Sequence, residues 1–202
     1  VFQYYIRFQD VEHYTLFLFT GLLPWIWFSS GLIEAISSIS SGGSLITKAM
    51  FPPQILPLVA VLTNLCNFLF AIPLLLGFML LWGVYPQAAI LLLPGVILIE
   101  LLFLYGLGLL FAALNVRYRD VQHIMGNLIT LWFFLCPILY PAENVPAAFR
   151  FTLWLNPVAL FTKWYHQVFL EGTLPDGLSF LFAFLVSLLV FVVGNVVFNH
   201  FR

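Results

Sequence analysis

Long apolar stretches separated by short polar islands set the pattern of this chain. Residues 14–33 carry no charge and are rich in Leu, Phe and Trp. About 20 such residues, rising about 1.5 Å each, match a bilayer core of about 30 Å. They predict a first span that continues past Glu34 and is ended by the Ser-Gly stretch 37–44. No charge falls between Lys48 and Glu100. That run exceeds one crossing, and the turn-forming sequence Gly83-Val84-Tyr85-Pro86-Gln87 divides it into spans near 58–82 and 88–114. The island Asn115-Val116-Arg117-Tyr118-Arg119-Asp120 must lie outside hydrocarbon, where adjacent charges are costly. A fourth span is predicted over 124–140 and a fifth over 178–199. Between them, residues 151–162 are too few to cross and are broken by Asn156-Pro157. Residues 146–155 and 157–170 therefore read as two short interfacial or re-entrant helices, each opened by a proline. The fold class is an all-α integral membrane protein, a polytopic bundle of five transmembrane helices plus these two short ones.

Composition excludes the alternatives. Of 202 residues, 63% are hydrophobic and 7% charged, against about 25% charged in soluble domains. Too little polar surface remains to face water. The net charge is −1 and the seven Lys and Arg are scattered, so no basic stripe could neutralise a nucleic-acid backbone. Cys66 and Cys136 sit in apolar runs and read as small buried residues. His13, His123, His166 and His200 lack metal-ligand spacing, so no metal is expected. There is no Walker motif, nucleophile elbow, HExxH or paired-carboxylate spacing, which argues against an enzyme and against a cofactor or nucleotide on this chain.

Five spans place the two ends on opposite sides of the membrane. With residue 1 outside, the inner loops hold Lys48, Arg117, Arg119 and Arg202, and the outer segments hold Arg7, Arg150 and Lys163. Trp25, Trp27, Trp82, Trp154, Trp164 and Tyr140 fall near the expected interfaces. Glu34 and Glu100 are intramembrane acids, either hydrogen-bonded within the protein or functional. Pro73, Pro94 and Pro137 lie within spans, as packing kinks or as hinges. On the fourth span, Ile129, Trp132, Phe133, Cys136 and Tyr140 share one helical face. This aromatic stripe, above all Trp132, Phe133 and Tyr140, is the candidate lining of a pathway, with packing against a neighbouring helix as the alternative.

Several segments together carry a resemblance. They are 16–25 (LFLFTGLLPW), Lys48-Ala49-Met50-Phe51-Pro52 with Ile55-Leu56-Pro57, and Leu114-Asn115-Val116-Arg117-Tyr118-Arg119-Asp120-Val121. Pro137-Ile138-Leu139-Tyr140-Pro141 and Asn156-Pro157-Val158-Ala159 follow in the same order. The chain resembles the ABC-2 type permease subunits that export lipid-linked polysaccharides such as O-antigen, capsule and teichoic acid, over nearly its whole length.

The resemblance implies a six-span subunit whose first span is missing here, residues 1–6 being its tail. It implies a homodimer with a second copy, two cytoplasmic ABC ATPase subunits that bind the ATP, a lipid-linked glycan as cargo, and an inner-membrane, multi-pass location. It places ATPase coupling in 41–57, with Lys48, Phe51 and Pro52 as contacts. It also suggests that Arg117, Arg119 and Asp120 brace a cytoplasmic entrance for an anionic lipid pyrophosphate, the other role for these residues being to anchor helix ends. Two departures stand out. Pro53-Gln54 follows the Phe-Pro pair where charged residues are usual, and His166 stands where an arginine is usual, so it fills that role only when protonated. The alternatives are a permease for drugs or small lipids, or a polytopic membrane glycosyltransferase or ligase.

Overall fold

The computed structural model describes residues 13–42, 52–146 and 150–200, and the elements found there are all helical. Helix α1 (Tyr14–Ser41) is followed by α2 (Ile55–Leu81). A 3-10 turn (Ala88–Leu92) leads directly into α3 (Leu93–Arg117), and α4 (Val121–Leu135) comes next. Two short helices, α5 (Arg150–Leu155) and α6 (Pro157–His166), precede a π-helical turn (Gln167–Glu171) and α7 (Gly177–His200). Among the described residues, four helical segments are long and apolar enough to cross a membrane: α1, α2, the 30-residue run Ala88–Arg117, and α7.

The helices alternate in direction, so the bundle has two ends. At one end the His13 ring meets Trp82 edge-on at 5.5 Å. At the other, the Gln54 side chain donates to Asn199 Oδ1 at 2.6 Å. These are called the Trp82 end and the Arg117 end. Helix α1 sits in the middle of the packing, with Leu16, Trp27, Phe28, Leu32 and Ile36 all buried. It ends at Ser41 with Gly42 as its cap, inside the Ser-Gly stretch expected to stop it. Ser37, Ser38 and Ser41 turn their hydroxyls back onto carbonyls three or four residues earlier, so these polar groups are satisfied without leaving the helix.

Helices α3 and α7 approach most closely at glycines. A Cβ placed on Gly106 would lie 2.6 Å from the backbone of Phe191, and one on Gly194 would overlap the carbonyl oxygen of Gly106. Only hydrogen fits at this seam, which is how small residues let helices pack in lipid.

Several sequence expectations change. The fourth span ends at Leu135, so its 15 residues reach about 22 Å. Cys136 then adopts an extended conformation ahead of Pro137, and the chain leaves the helix. Tyr140 is consequently off the helical face on which it was placed. Pro137 lies beyond α4 and Pro94 sits in the first turn of α3, where its missing N–H is harmless. Among the described residues, the prolines in helix interiors are Pro24 and, as expected, Pro73. Pro157 opens α6 as expected, whereas Pro146 is not helical and α5 is described from Arg150 onward. Trp25 and Trp27 fall mid-way along α1 and are buried, in the core rather than at an interface. Cys136 is buried but Cys66 is exposed, on a face of α2 crowded with exposed apolar residues.

Candidate functional site

At the Arg117 end, a buried asparagine organises three helices. Asn115 Nδ2 donates to the Ile36 carbonyl at 3.1 Å and to Ser40 Oγ at 3.4 Å, and its Oδ1 accepts from the Gln122 backbone N–H at 3.2 Å. The last turn of α1 and the start of α4 are thereby fixed against the end of α3. This holds the α3–α4 turn in place, where Arg117, Arg119 and Asp120 are all exposed. The Arg117 guanidinium lies 5.8 Å from the centre of the Tyr118 ring, in cation–π range. Pro52 is exposed, and its carbonyl accepts from the Ile55 N–H at 3.1 Å as α2 begins. Lys48 and Phe51 lie outside the described residues.

Deeper in the bundle the two intramembrane acids differ. Glu100 is buried at 1% exposure and accepts a 2.7 Å hydrogen bond from the Tyr165 hydroxyl of α6. Glu34 is exposed, and its Oε2 accepts from Asn64 Nδ2 of α2 at 2.6 Å. Both acids are thus hydrogen-bonded within the protein, and of the two only Glu100 is buried.

The aromatic stripe is split. Trp132 is half-buried, meets Phe28 of α1 edge-on at 5.5 Å, and donates from Nε1 to Asn156 Oδ1 at 2.9 Å. Phe133 packs on Trp25 with centroids 5.5 Å apart. Tyr140 donates to the Phe134 carbonyl at 3.0 Å. Trp132 and Phe133 thus face α1 within the subunit, while His123, Asn127, Thr130 and Phe134 occupy the exposed side of α4.

Helix α6 is held by polar contacts from three sides. Asn156 caps it, its Oδ1 accepting from the Val158 N–H at 3.1 Å as well as from Trp132. Tyr165 reaches Glu100 of α3. His166 stacks on Phe17 with centroids 4.0 Å apart, and its Nε2–H donates to the Phe17 carbonyl of α1 at 3.1 Å. Burial pushes the His166 imidazole down to about 4, outweighing the opposing effect of that hydrogen bond. A neutral ring is the consequence, so His166 does not supply the positive charge of the usual arginine at neutral pH. Asn156 could have been found from sequence, since Asn before Pro and an apolar run is a helix-start signal. Asn64, Asn115 and Tyr165 had no such signal, because Glu34, Ile36 and Glu100, the partners they reach on other helices, are 30 to 79 residues away.

An all-helical, multi-pass membrane protein with a buried helix folded back at one end is the class these elements define. The chain belongs to the ABC-2 type transporter family, whose model matches residues 3–170. It is 40% identical, over 96% of its length and 75% of the relative's, to the O-antigen export system permease protein RfbA of Myxococcus xanthus. The RfbA permease of Klebsiella pneumoniae is 30% identical over the whole of this chain and 78% of its own. The polysialic acid transport protein KpsM of Escherichia coli is 21% identical over 90% of this chain and 70% of its own. Family membership makes the chain the membrane component of an ABC transporter that works with a partner ATPase.

Proposed function

We propose that the protein exports a lipid-linked polysaccharide from the cytoplasm across the inner membrane, as a homodimer driven by two ATPase subunits. The observation that carries this reading is the 40% identity to an O-antigen export permease over nearly the whole chain. The arrangement of helices is compatible with it. Exposed polar residues on α4, notably Asn127 and Thr130, are unfavourable against lipid and suit a surface facing a second subunit or a wet path. Trp132, Phe133 and Tyr140 then form or brace the wall of that path. Lys48, Phe51 and Pro52 form the contact with the ATPase at the Arg117 end, which is cytoplasmic in this reading. Arg117, Arg119 and Asp120, exposed on a turn that Asn115 holds in place, meet the anionic head of the lipid carrier. ATP is bound by the partner, and this chain needs no cofactor of its own.

Deleting the gene and complementing it tests the reading. Loss of surface polysaccharide, with lipid-linked glycan accumulating inside, is the expected outcome. Unchanged surface glycan in the deletion strain, or accumulation of a drug or small lipid instead, overturns it. Within a complemented strain, Arg119→Gln is expected to lower export at normal protein level.

A further inference from the structure

The Trp82 end of the bundle holds a cavity of about 400 Å³ between the 3-10 turn Ala142–Asn144, α5, α6 and the start of α7. That volume falls within the ~300–1,000 Å³ of small-ligand sites. Its walls are unlike those of the cavity between α3 and α7, which is lined by Leu98, Tyr105, Phe184, Phe191 and other apolar groups and suits an acyl chain. The cavity at the Trp82 end instead presents Glu143, Arg150, Trp154, Lys163, Gln167 and Asp176.

Four features of these residues narrow the ligand. First, two cations and two anions balance, so the site offers no net attraction for a phosphate or pyrophosphate. Second, the Trp154 indole is 50% exposed beside it, and an open aromatic face packs against CH groups. Third, Gln167 Oε1 is buried with no hydrogen-bond partner among the described residues. A carbonyl oxygen only accepts, so the counterpart it lacks is a hydroxyl or N–H donor. Fourth, the groups are held rather than loose. Arg150 donates from Nε to the Val145 carbonyl and from Nη2 to the Glu143 carbonyl, each at 3.1 Å. Asp176 Oδ2 accepts from the Ser179 N–H at 3.2 Å. Gln167 opens the π-helical turn, a rare geometry that concentrates at functional sites.

We infer that this cavity is a binding site for a neutral, hydroxyl-rich saccharide segment. A sugar ring packs its CH face on Trp154, exchanges its hydroxyl bonds with the mixed charges around it, and donates a hydroxyl to Gln167 Oε1 once that side chain turns towards the cavity it lines. The inference deepens the export reading and rests on it, because the cargo glycan is the saccharide a permease would meet there. Bound at the far end from the ATPase contact, such a segment is hindered from sliding back between strokes.

The test uses the full-length permease with its ATPase in nanodiscs. The probe is the delipidated glycan released by mild acid from the producing strain's own surface glycolipid, and binding is followed by saturation-transfer NMR and titration. Trp154→Ala is expected to weaken binding by roughly tenfold, and Trp154→Phe by less, with ATP turnover and protein level unchanged. Trp82→Ala, outside the cavity, is expected to bind like wild type. Equal binding by Trp154→Ala and wild type overturns the inference. So does absence of binding to wild type, or displacement of the glycan by inorganic pyrophosphate. If the deletion strain still loses surface glycan, any of these results removes the site and leaves the export reading standing. If the deletion has no effect on surface glycan, the export reading itself falls.

Discussion

Helices α6 and α7 are neighbours in sequence and opposites in how they are held. Nine of the ten residues of α6 are buried, and among them are Thr162, Tyr165 and His166. Helix α7 is far more apolar, yet only Ser179, Ala183, Ser187, Gly194 and Phe198 of its 24 residues are buried. In water this order would be inverted, because apolar surface is driven inward. In lipid, Leu and Val lose nothing by facing outward, and polar groups are the ones that need protein around them. Leu181, Leu185, Leu189 and Val196 are accordingly more than half exposed. Helix α7 is secured by shape along a seam of small residues, and α6 by directed hydrogen bonds.

The largest effect should come from the seam. Gly106→Ala forces a methyl group against the Phe191 backbone, which has no side-chain rotation to relieve it. A loss of about 3 kcal/mol is expected, read as failure of the protein to survive detergent extraction as a single species. Normal stability would mean that shape does not secure α7.

A smaller loss is expected when a directed bond is cut. Tyr165→Phe leaves Glu100 buried without its donor and should cost about 2 kcal/mol, measured by thermal denaturation in micelles. Combining it with Glu100→Gln, which removes the carboxylate, should recover part of that loss. Additive effects in the double variant would show that the two residues are not coupled.

The His166 contact gives a pH signature. Its folded value of about 4 lies below the usual 6.5, so the unfolded chain takes up the proton first as pH falls. The His166 contribution is complete above pH 6.5 and is lost progressively towards 4. The melting temperature should drop over that window, and His166→Gln should flatten that part of the profile. The smallest effect is predicted on the lipid face of α7. Leu189→Ala should change stability by less than about 0.5 kcal/mol, and a loss as large as that of Tyr165→Phe would mean that a protein neighbour covers this face.

The long helices were legible in sequence because hydrocarbon thickness and charge placement act locally. The predicted spans 58–82 and 178–199 fall within a few residues of α2 and α7. The end of α4 was not legible, since the run 124–140 stays apolar while Pro137 and an extended Cys136 stop the helix. Periodicity placed Trp132 and Phe133 correctly on one face but could not say that α1 covers it. Burial of Glu100 against exposure of Glu34 was equally out of reach. Both are single acids in apolar runs, and only tertiary packing tells them apart. Asn156 shows the intermediate case, in which the cap was readable and its bond to Trp132 was not.

The covered state of α6 also dictates an order of assembly. Ten residues rise about 15 Å, too little to be inserted as a span, and the helix carries a tyrosine and a histidine whose partners sit on α1 and α3. Its resting place therefore does not exist until those two helices have entered the bilayer and met. During synthesis the segment must wait at the membrane surface while the upstream helices gather, then tuck in late, beside an α7 that inserts on its own hydrophobicity. Folding of this chain is thus not a simple succession of insertions from first residue to last.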